Sequence, residues 1–343
     1  MSLLFQHFID SVCCGKDLSF EESRECISGL FSPDIAIEKK VQFLKGLSKK
    51  GESVDEIVGF AQVMQEKMNT LSLSHQAMDL CGTGGVVGDR FNTSTGASFL
   101  VAASGGYVAK HGNRGSRKAN GSFDFLEALE IPLLSNKSDL TSIFDSKHLC
   151  FLFARFFHPV VAGIAEARKQ VGTRTIFNLL GPLCNPARVS FQIIGTLDHS
   201  HAMLLSESVF RLGTTRTTVI VSEDGTDELS PFSPAILYEI TSTGIQKVNF
   251  SPKSCDIFES KTPLGFSDSV QNAALFCHIL SQKQNQHPAA LAMALNAGLA
   301  LYNAGLTESI RQGFLQVQKL IKTGQAWEWF SDYQSALKVG FQI

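Results

Sequence analysis

The first part of the chain shows the hydrophobic periodicity of a helical bundle. Residues 19–22 (Ser-Phe-Glu-Glu) and 53–56 (Ser-Val-Asp-Glu) match the capping box, in which a serine and a glutamate three positions later close a helix start. After the second box, apolar residues recur at helical spacing from Ile57 to Met64, which gives one apolar face. The pattern predicts an all-helical N-terminal domain over residues 1–72.

From Met78 onward the pattern changes to short apolar runs that alternate with helices. This alternation is typical of an α/β domain with a mainly parallel sheet, and we place this larger domain at residues 76–343. The predicted strands are Met78–Cys81, Tyr107–Ala109, Phe191–Gly195, Thr218–Val221, Ala235–Thr241 and Ile245–Phe250. The last two are expected to pair antiparallel. Helices are predicted at Val270–Gln282, Ala289–Ala304 and from Glu308 to about Thr323.

Composition and charge narrow the functional class. Charged residues make up 18% and apolar residues 44% of the 343 residues, which indicates a compact, core-rich protein. The net charge of -2 and the absence of a long Lys/Arg run argue against a nucleic-acid or membrane-surface binder. Polar residues interrupt the most apolar segment, Ala289 to Leu306, so we expect a buried helix there rather than a membrane span.

The cysteines and the start of the chain bear on its location. The eight cysteines show no CxxC pair and no spacing with histidine that suggests a zinc site. Gln6, His7 and Asp10 interrupt the apolar residues at the start, so no signal peptide is recognised. A reducing, cytoplasmic location is therefore expected.

The first of two glycine-rich loops runs from Gly82 to Gly85, directly after a predicted strand. A helix start with hydroxyls at residues 93–95 follows it. Glycines let backbone N–H groups approach an anion, and a helix N-terminus adds unpaired donors and a favourable dipole. The segment is not a P-loop, because no Gly-Lys-Ser/Thr follows. Phosphate binding and a plain glycine turn with a capped helix both remain open for this loop alone.

The second loop, Lys110 to Arg114, adds cations to the pattern. It follows an apolar strand, so its side chains are expected at the strand's carboxyl end, where open α/β sheets place ligands. Asp227 and Glu228 follow another predicted strand and are expected at the same edge. Taken alone, they would be a solvated acidic turn, but carboxylates beside a phosphate site are typical ligands of Mg²⁺. The combination indicates an enzyme that acts on a phosphate ester.

These motifs, in this order, resemble the anthranilate phosphoribosyltransferase family over nearly the whole chain. The matching segments are the helical start, Gly82–Gly85, Asn92–Thr95, Lys110–Arg114, Gly121–Ser122, His158–Pro159, Arg168–Lys169, Arg174–Leu183, Asn185–Ala187 and Asp227–Ser230. The resemblance implies a fold of the nucleoside phosphorylase and phosphoribosyltransferase type, with part of residues 160–190 packing on the helical domain. It also implies a homodimer paired through the helices.

The resemblance implies a reaction and a set of site residues. In this family the amine of anthranilate displaces diphosphate from C1 of phosphoribosyl diphosphate, a step of tryptophan biosynthesis. The residues implied to hold phosphoribosyl diphosphate are Gly82, Gly85, Asn92, Ser94, Thr95, Lys110, Lys118 and Ser122. Those implied to contact anthranilate are Gly82, Asn113 and Arg168. Ser94 with Glu228 is implied to bind one Mg²⁺ ion, and Asp227 with Glu228 a second.

The residue types suit this reaction without a catalytic base. An aniline-type nitrogen is neutral at physiological pH, so the nucleophile needs little activation, and we nominate no catalytic residue. Breaking the C1–oxygen bond leaves negative charge on diphosphate, which metal ions, backbone amides and Lys110 are expected to stabilise. Catalysis is then expected to come from positioning and electrostatics.

The chain departs from the family's usual pattern in both loops. Val86-Val87 stands where the family usually has Asp-Gly, Arg90 stands in place of threonine, and residues 115–119 replace a serine-rich run that ends in lysine. Lys118 is interpreted as that lysine moved by one place, which leaves Arg90 and Arg117 as additional cations. Either these side chains neutralise diphosphate directly, with an altered metal dependence, or the anthranilate reaction is impaired and another ligand is bound.

Two other classes share parts of this pattern. Pyrimidine nucleoside phosphorylases have similar glycine loops but cleave a nucleoside with phosphate, without diphosphate or paired acids for magnesium. The segments Arg174–Leu183 and Asn185–Ala187, with the acids at 227 and 228, favour the transferase. A nucleic-acid-binding relative would need a broad basic groove, which the near-neutral charge does not support.

Overall fold

The N-terminal helices of the chain pack into a bundle, as the sequence predicts. The computed structural model describes residues 2–84, 90–115, 119–258, 264–266 and 268–340. The bundle helices are α1 (Ser2–Cys13), α2 (Phe20–Phe31), α3 (Ile37–Lys50) and α4 (Val54–Lys67). Both predicted capping boxes form, because the side chains of Ser19 and Ser53 each accept a hydrogen bond from the backbone of the glutamate three positions later. The division of the chain at residues 72 and 76 stays a prediction.

Two short helices from the middle of the chain join this bundle. They are α9 (Ala165–Val171), which packs on α3, and α10 (Phe177–Leu183), which packs on α4. Lys40 adds a polar tie, since its Nζ donates to the carbonyl oxygen of Gly163 at 2.9 Å. The bundle core therefore includes a segment that is distant in sequence and leads directly into the sheet.

A seven-stranded mixed sheet forms the centre of the α/β part. The strands are β1 (Met78–Gly82), β2 (Val108–Gly112), β3 (Leu149–Phe153), β4 (Phe191–Thr196), β5 (Arg216–Ser222), β6 (Ala235–Thr241) and β7 (Gly244–Phe250). Their order is β3-β2-β1-β4-β5-β6-β7. The pairs from β3 to β5 are parallel, and the pairs β5–β6 and β6–β7 are antiparallel. The predicted fold class, including the antiparallel hairpin at the end, is confirmed.

The strand order reverses beside β1. The chain builds β2 and then β3 on one side of β1, and later places β4 on its other side. The carboxyl ends of β1 and β4 are thus a topological switch point, the place where open α/β sheets bind ligands. The register pairs Gly82 with Gly195 at this end, so two residues without a Cβ lie side by side there.

The sequence analysis missed β3. All five residues of Leu149–Phe153 are buried, so the strand is a short continuous apolar run without the alternation that marks a half-exposed strand. Such a run resembles a buried helical segment when only periodicity is considered.

Helices cover both faces of the sheet. In addition to those named, they are α5 (Thr93–Ala103), α6 (Ser122–Ala128), α7 (Lys137–Lys147), α8 (Ala154–Phe157), α11 (His199–Leu212), α12 (Ser269–Ser281), α13 (Pro288–Asn303), α14 (Ile310–Thr323) and α15 (Gln325–Gly340), with 3-10 turns at Pro159–Ile164 and Pro252–Cys255. One core joins the sheet to α5 and α12–α15, with Phe99, Phe276 and Phe330 in mutual ring contact. A second core joins the other face to α11 and the bundle.

The most apolar segment forms α13, which is buried along nearly its whole length, as expected. It approaches α14 so closely that a Cβ on Gly298 would lie 2.5 Å from the backbone nitrogen of Phe314. Within the described ranges, no helix is both long enough and apolar enough to cross a membrane. All eight cysteines lie within these ranges and are free thiols.

Candidate active site

The acidic loop after β5 lies directly over the switch point. A Cβ on Gly195 would be 1.6 Å from the carbonyl oxygen of Asp227, so only glycine fits there without moving the loop. The neighbouring strand is tied to the same place, because the backbone N–H of Thr83 donates to the carbonyl oxygen of Gly195 at 2.9 Å. The sheet end thus brings the acids to the first glycine loop, as the sequence predicts, although the role of Gly195 was not recognised.

The carboxylate of Asp227 reaches back onto the first loop. A Cβ on Gly82 would lie 2.2 Å from its Oδ2 atom, so Gly82 leaves room for this carboxylate. The backbone N–H of Gly84 donates to Oδ2 at 3.2 Å. On the other side, Nη1 of Arg90 lies 3.5 Å from Oδ1. Asp227 therefore has a partner on each carboxylate oxygen.

Glu228 points toward the start of α5. Its Oε1 atom accepts a hydrogen bond of 2.6 Å from the hydroxyl of Thr93, the residue before Ser94. Burial and the adjacent Asp227 raise the pKa of Glu228 to about 8, against the lowering effects of Thr93 and Arg90. Two hydrogen bonds between Asn296 and the backbone of Leu229 hold the loop behind it.

Lys110 lies inside β2 and not in the loop after it, where the sequence analysis expected it. It is 3% exposed, and its Nζ donates to the carbonyl oxygen of Leu80 and, at 3.3 Å, to the hydroxyl of Ser94. The strand extends to Gly112 because β2 pairs with β3 along its full length. The Lys110 side chain thus connects β1 to the first turn of α5.

Asp79 balances the charge of Lys110 within the sheet. Burial raises the pKa of Asp79 to about 6, while the positive charge of Lys110 and a 2.8 Å hydrogen bond from Asn185 act to lower it. Asn185 also donates to the carbonyl oxygen of Ala109 at 2.9 Å. The Asn-Pro-Ala motif therefore supports the two site strands from inside the protein.

An asparagine cluster fixes the entrance of α5. The Nδ2 atom of Asn272 contacts the side-chain oxygens of Asn92 and Asn120, both at 3.2 Å, and the carbonyl oxygen of Arg90 at 2.8 Å. Asn120 also donates to that carbonyl oxygen, at 3.2 Å. Asn92 is buried in this network, so it positions the loop. Sequence reasoning missed Asn120 and Asn272; a polar residue in the apolar pattern of α12 was the available signal.

The second loop is held by an acid that the sequence analysis did not consider. Asp124 accepts hydrogen bonds from the backbone N–H groups of Gly115 and Gly121, at 2.7 and 2.8 Å. Arg114 pairs with Asp124 and Glu127, so its charge is already partnered. The hydroxyl of Ser122 donates to the carbonyl oxygen of Asn113 at 3.2 Å, and the side-chain oxygen of the exposed Asn113 accepts from the backbone N–H of Arg114 at 2.9 Å.

The remaining expected site residues have different surroundings. Thr95 is 1% exposed within α5. Arg168, on α9, lies with its guanidinium carbon 5.3 Å from the ring centre of Phe177, and burial lowers its pKa. In the described part of the chain, no hydrogen bond or ion pair joins Arg168 to Gly82 or Asn113. Gly85 and Lys118 lie outside the described residues, as do Val86, Val87 and Arg117.

Arg174, which precedes α10, and Asn178, which lies within α10, both bind the first loop. Nη1 of Arg174 donates to the carbonyl oxygen of Gly84. Nδ2 of Asn178 contacts the carbonyl oxygen of Thr83 at 3.4 Å. Both belong to a segment that resembles the family, but the sequence analysis assigned them no role.

A histidine pair lies at the end of β2, with His158 buried and His111 half-buried. The rings of His111 and His158 have centres 5.0 Å apart. Burial lowers the pKa of His111 to about 3 and that of His158 to about 4, and each would repel the other if both were charged. The pair is therefore neutral at physiological pH.

Changing His111 to glutamine is expected to make the free energy of unfolding less sensitive to acid. The unfolded histidine binds a proton near its ordinary pKa of 6.5, but the folded one binds it only near 3. Its stabilising contribution is thus complete above pH 6.5 and is lost as the pH falls toward 3. Between pH 7 and pH 5, urea denaturation should show a loss about 2 kcal/mol smaller in the variant.

The difference between His111→Gln and wild type gives the contribution of His111 to the pH dependence of the free energy of unfolding. Asp79, whose pKa is raised to about 6, acts in the opposite direction, but it does so in both proteins. The exposed His7 provides the control, since His7→Gln should keep the wild-type pH dependence. Equal pH dependence in His111→Gln and wild type would contradict the expected result.

Comparisons with known proteins agree with this architecture. A sequence profile of the glycosyl transferase family, a/b domain, matches residues 74–327, and a profile of the helical bundle domain of that family matches residues 6–68. Anthranilate phosphoribosyltransferase from Geobacillus sp. (strain WCH70) is 34% identical over 327 residues, which cover 95% of this chain and 96% of that protein.

Solved structures show the same fold. The crystal structure of anthranilate phosphoribosyltransferase from Thermus thermophilus has a TM-score of 0.84 at 32% identity, covering 97% of this chain and 99% of that chain. The Saccharomyces cerevisiae enzyme in complex with PRPP and Mg has a TM-score of 0.88 at 20% identity, covering 98% of each chain, a likeness of fold. On the profile match and the relatives above 30% identity, this chain belongs to the anthranilate phosphoribosyltransferase family.

Proposed function

We propose that this chain transfers the phosphoribosyl group of phosphoribosyl diphosphate to the amine of anthranilate. The products are N-(5-phosphoribosyl)anthranilate and diphosphate, and the reaction belongs to tryptophan biosynthesis. The observation that carries the proposal is the meeting of Lys110, Ser94 and the acids at 227 and 228 at the switch point of a chain from this family. A pyrimidine nucleoside phosphorylase is not favoured, because the relatives above are transferases.

The acid pair suits Mg²⁺. Asp227 and Glu228 are adjacent carboxylates at the sheet end, and Mg²⁺ is commonly held by one or two carboxylates together with water and substrate phosphates. Among the described residues, no third acid, histidine or cysteine joins them in a metal-binding group. The hydroxyl of Ser94 and the substrate would complete the ligand set. When bound, Mg²⁺ supplies positive charge that neutralises the diphosphate.

The residues at the start of α5 would hold the leaving group. Lys110 brings a cation to Ser94, and the N-terminus of α5 adds free backbone donors, so that negative charge is favoured at this point. Gly82, Gly85, Asn92, Thr95, Lys118 and Ser122 complete the proposed phosphoribosyl diphosphate site. Because these groups stabilise charge as it develops on diphosphate, they would lower the barrier for breaking the C1–oxygen bond.

Anthranilate is placed on the side of the second loop and α9. Asn113 offers an exposed side-chain amide, and Arg168 offers a guanidinium that suits a carboxylate through paired hydrogen bonds. Gly82 would border the same space. The neutral aromatic amine then attacks C1 without a catalytic base, and its proton leaves to solvent after the bond has formed.

The assembly and location are part of the proposal. We expect a cytoplasmic homodimer paired through the helical bundle, where Leu3 and Leu4 are exposed apolar side chains on α1. A monomer mass in sedimentation equilibrium at micromolar concentration would contradict the dimer.

The activity is tested by fluorescence. Anthranilate, phosphoribosyl diphosphate and Mg²⁺ are mixed with the enzyme, and the loss of anthranilate fluorescence is followed. Loss that requires both substrates and the enzyme is the expected result. The parallel reaction contains thymidine or uridine with phosphate, and release of a free base there, without turnover of anthranilate, would overturn the proposed function.

A further inference from the structure

The contact between Arg90 and Asp227 places a cation of the protein on a proposed metal ligand. The side chain of Asp227 is 8% exposed and that of Arg90 is 36% exposed, so the pair lies partly out of water. One oxygen of Asp227 accepts from the N–H of Gly84, and the other faces the guanidinium at 3.5 Å. Both oxygens that could bind a metal ion therefore have partners already.

Arg90 is held in this position by its backbone. Its carbonyl oxygen accepts hydrogen bonds from Nδ2 of Asn272 at 2.8 Å and from Nδ2 of Asn120 at 3.2 Å. Asn120 and Asn272 belong to the asparagine cluster at the entrance of α5. The side chain thus starts from a fixed point beside the acidic loop, which favours a persistent contact over a chance one.

We propose that Arg90 is an internal counter-ion that competes with Mg²⁺ for Asp227. A guanidinium and a divalent cation near one carboxylate repel each other, so metal binding at Asp227 requires Arg90 to move away. Glu228, whose described hydrogen bond comes from the neutral Thr93, remains the primary carboxylate for the metal. The inference rests on the proposed function, because it takes Asp227 and Glu228 to be the metal-binding pair.

The test is a metal titration without substrates. Mn²⁺ is used as the probe for Mg²⁺, and free Mn²⁺ is measured by electron paramagnetic resonance in wild type and in Arg90→Gln. Removing a positive charge from beside the carboxylate is expected to tighten Mn²⁺ binding on the order of tenfold. Adding Asp227→Asn to Arg90→Gln should abolish the gain, because the released carboxylate is then missing.

Two further variants keep the outcome interpretable. Arg90→Lys retains the charge and should bind Mn²⁺ much as wild type does. Arg211, near the C-terminus of α11, is an exposed arginine that pairs with Asp55 on α4. Arg211→Gln should leave metal binding unchanged. Equal Mn²⁺ affinity in wild type and in folded Arg90→Gln would overturn the proposal, as would an equal gain in Arg211→Gln.

The two proposals fail separately. The Mn²⁺ titration contains neither anthranilate nor phosphoribosyl diphosphate, so it reports on metal binding at the acid pair and not on turnover. Wild-type turnover of anthranilate reports on the proposed function. A wild-type protein without turnover, in which Arg90→Gln still binds Mn²⁺ more tightly, would reject the reaction and keep the role of Arg90.

Discussion

Replacing Glu228 by glutamine is expected to lower kcat/KM for phosphoribosyl transfer on the order of a hundredfold to a thousandfold. The change removes the carboxylate that is proposed to hold Mg²⁺ against the departing diphosphate, while it keeps the size of the side chain. The Oε1 atom can still accept from Thr93. Steady-state kinetics at saturating Mg²⁺, followed by anthranilate fluorescence, measure the effect.

The fold should tolerate this change. Burial and Asp227 raise the pKa of Glu228 to about 8, so the folded protein already disfavours the charged form of this side chain. Thermal unfolding should therefore show no loss of stability. Glu223→Gln is the matched control, because Glu223 is an exposed glutamate at the start of the same loop, and it should keep wild-type kinetics. A Glu228→Gln enzyme with full activity would show that this carboxylate is not used.

Replacing Gly195 by alanine is expected to impair both stability and activity. The added Cβ would be 1.6 Å from the carbonyl oxygen of Asp227, so the acidic loop must move away from the sheet. Overpacking against backbone should cost about 2 kcal/mol or more in the free energy of unfolding. A displacement of about 1 Å in a group that positions the reaction can cost on the order of a hundredfold in rate.

Urea denaturation and steady-state kinetics measure the two effects of Gly195→Ala. Gly340→Ala is the control, since no atom of the described residues lies within 4 Å of a Cβ at that position. The control should match wild type in both measurements. Wild-type stability together with wild-type kinetics in Gly195→Ala would show that the loop does not lie against β4.

Local signals in the sequence predicted the elements with strong short-range patterns. The capping boxes at Ser19 and Ser53 and the β6–β7 hairpin needed only neighbouring residues, and all three are confirmed. β3 was missed because burial on both faces removes the alternation of a strand. Lys110 was expected in a loop because it follows the apolar run at residues 107–109, and only the pairing of β2 with β3 carries the strand past it.

The sequence predicted the motifs of the candidate site but not the contacts that position them. The glycines and the acids stand out along the chain, but the contacts that place them join residues far apart in sequence. Asn272 meets Asn92 across 180 positions, and Gly195 lies under Asp227 because β4 is inserted beside β1. No local pattern encodes these contacts, since they arise from the strand order. The acids were predicted to lie near the first loop, but their individual partners were not.

Arg174 connects two parts of the molecule, one through its backbone and the other through its side chain. Its carbonyl oxygen accepts from the hydroxyl of Ser48 on α3 at 3.4 Å, and its guanidinium donates to the carbonyl oxygen of Gly84 in the first loop. A hinge motion of the bundle relative to the sheet would therefore pull on that carbonyl or break one of these two bonds. The position of α3 and the position of the Gly84 carbonyl are linked in this way, so a tilt of the bundle should change the geometry at the start of the first loop.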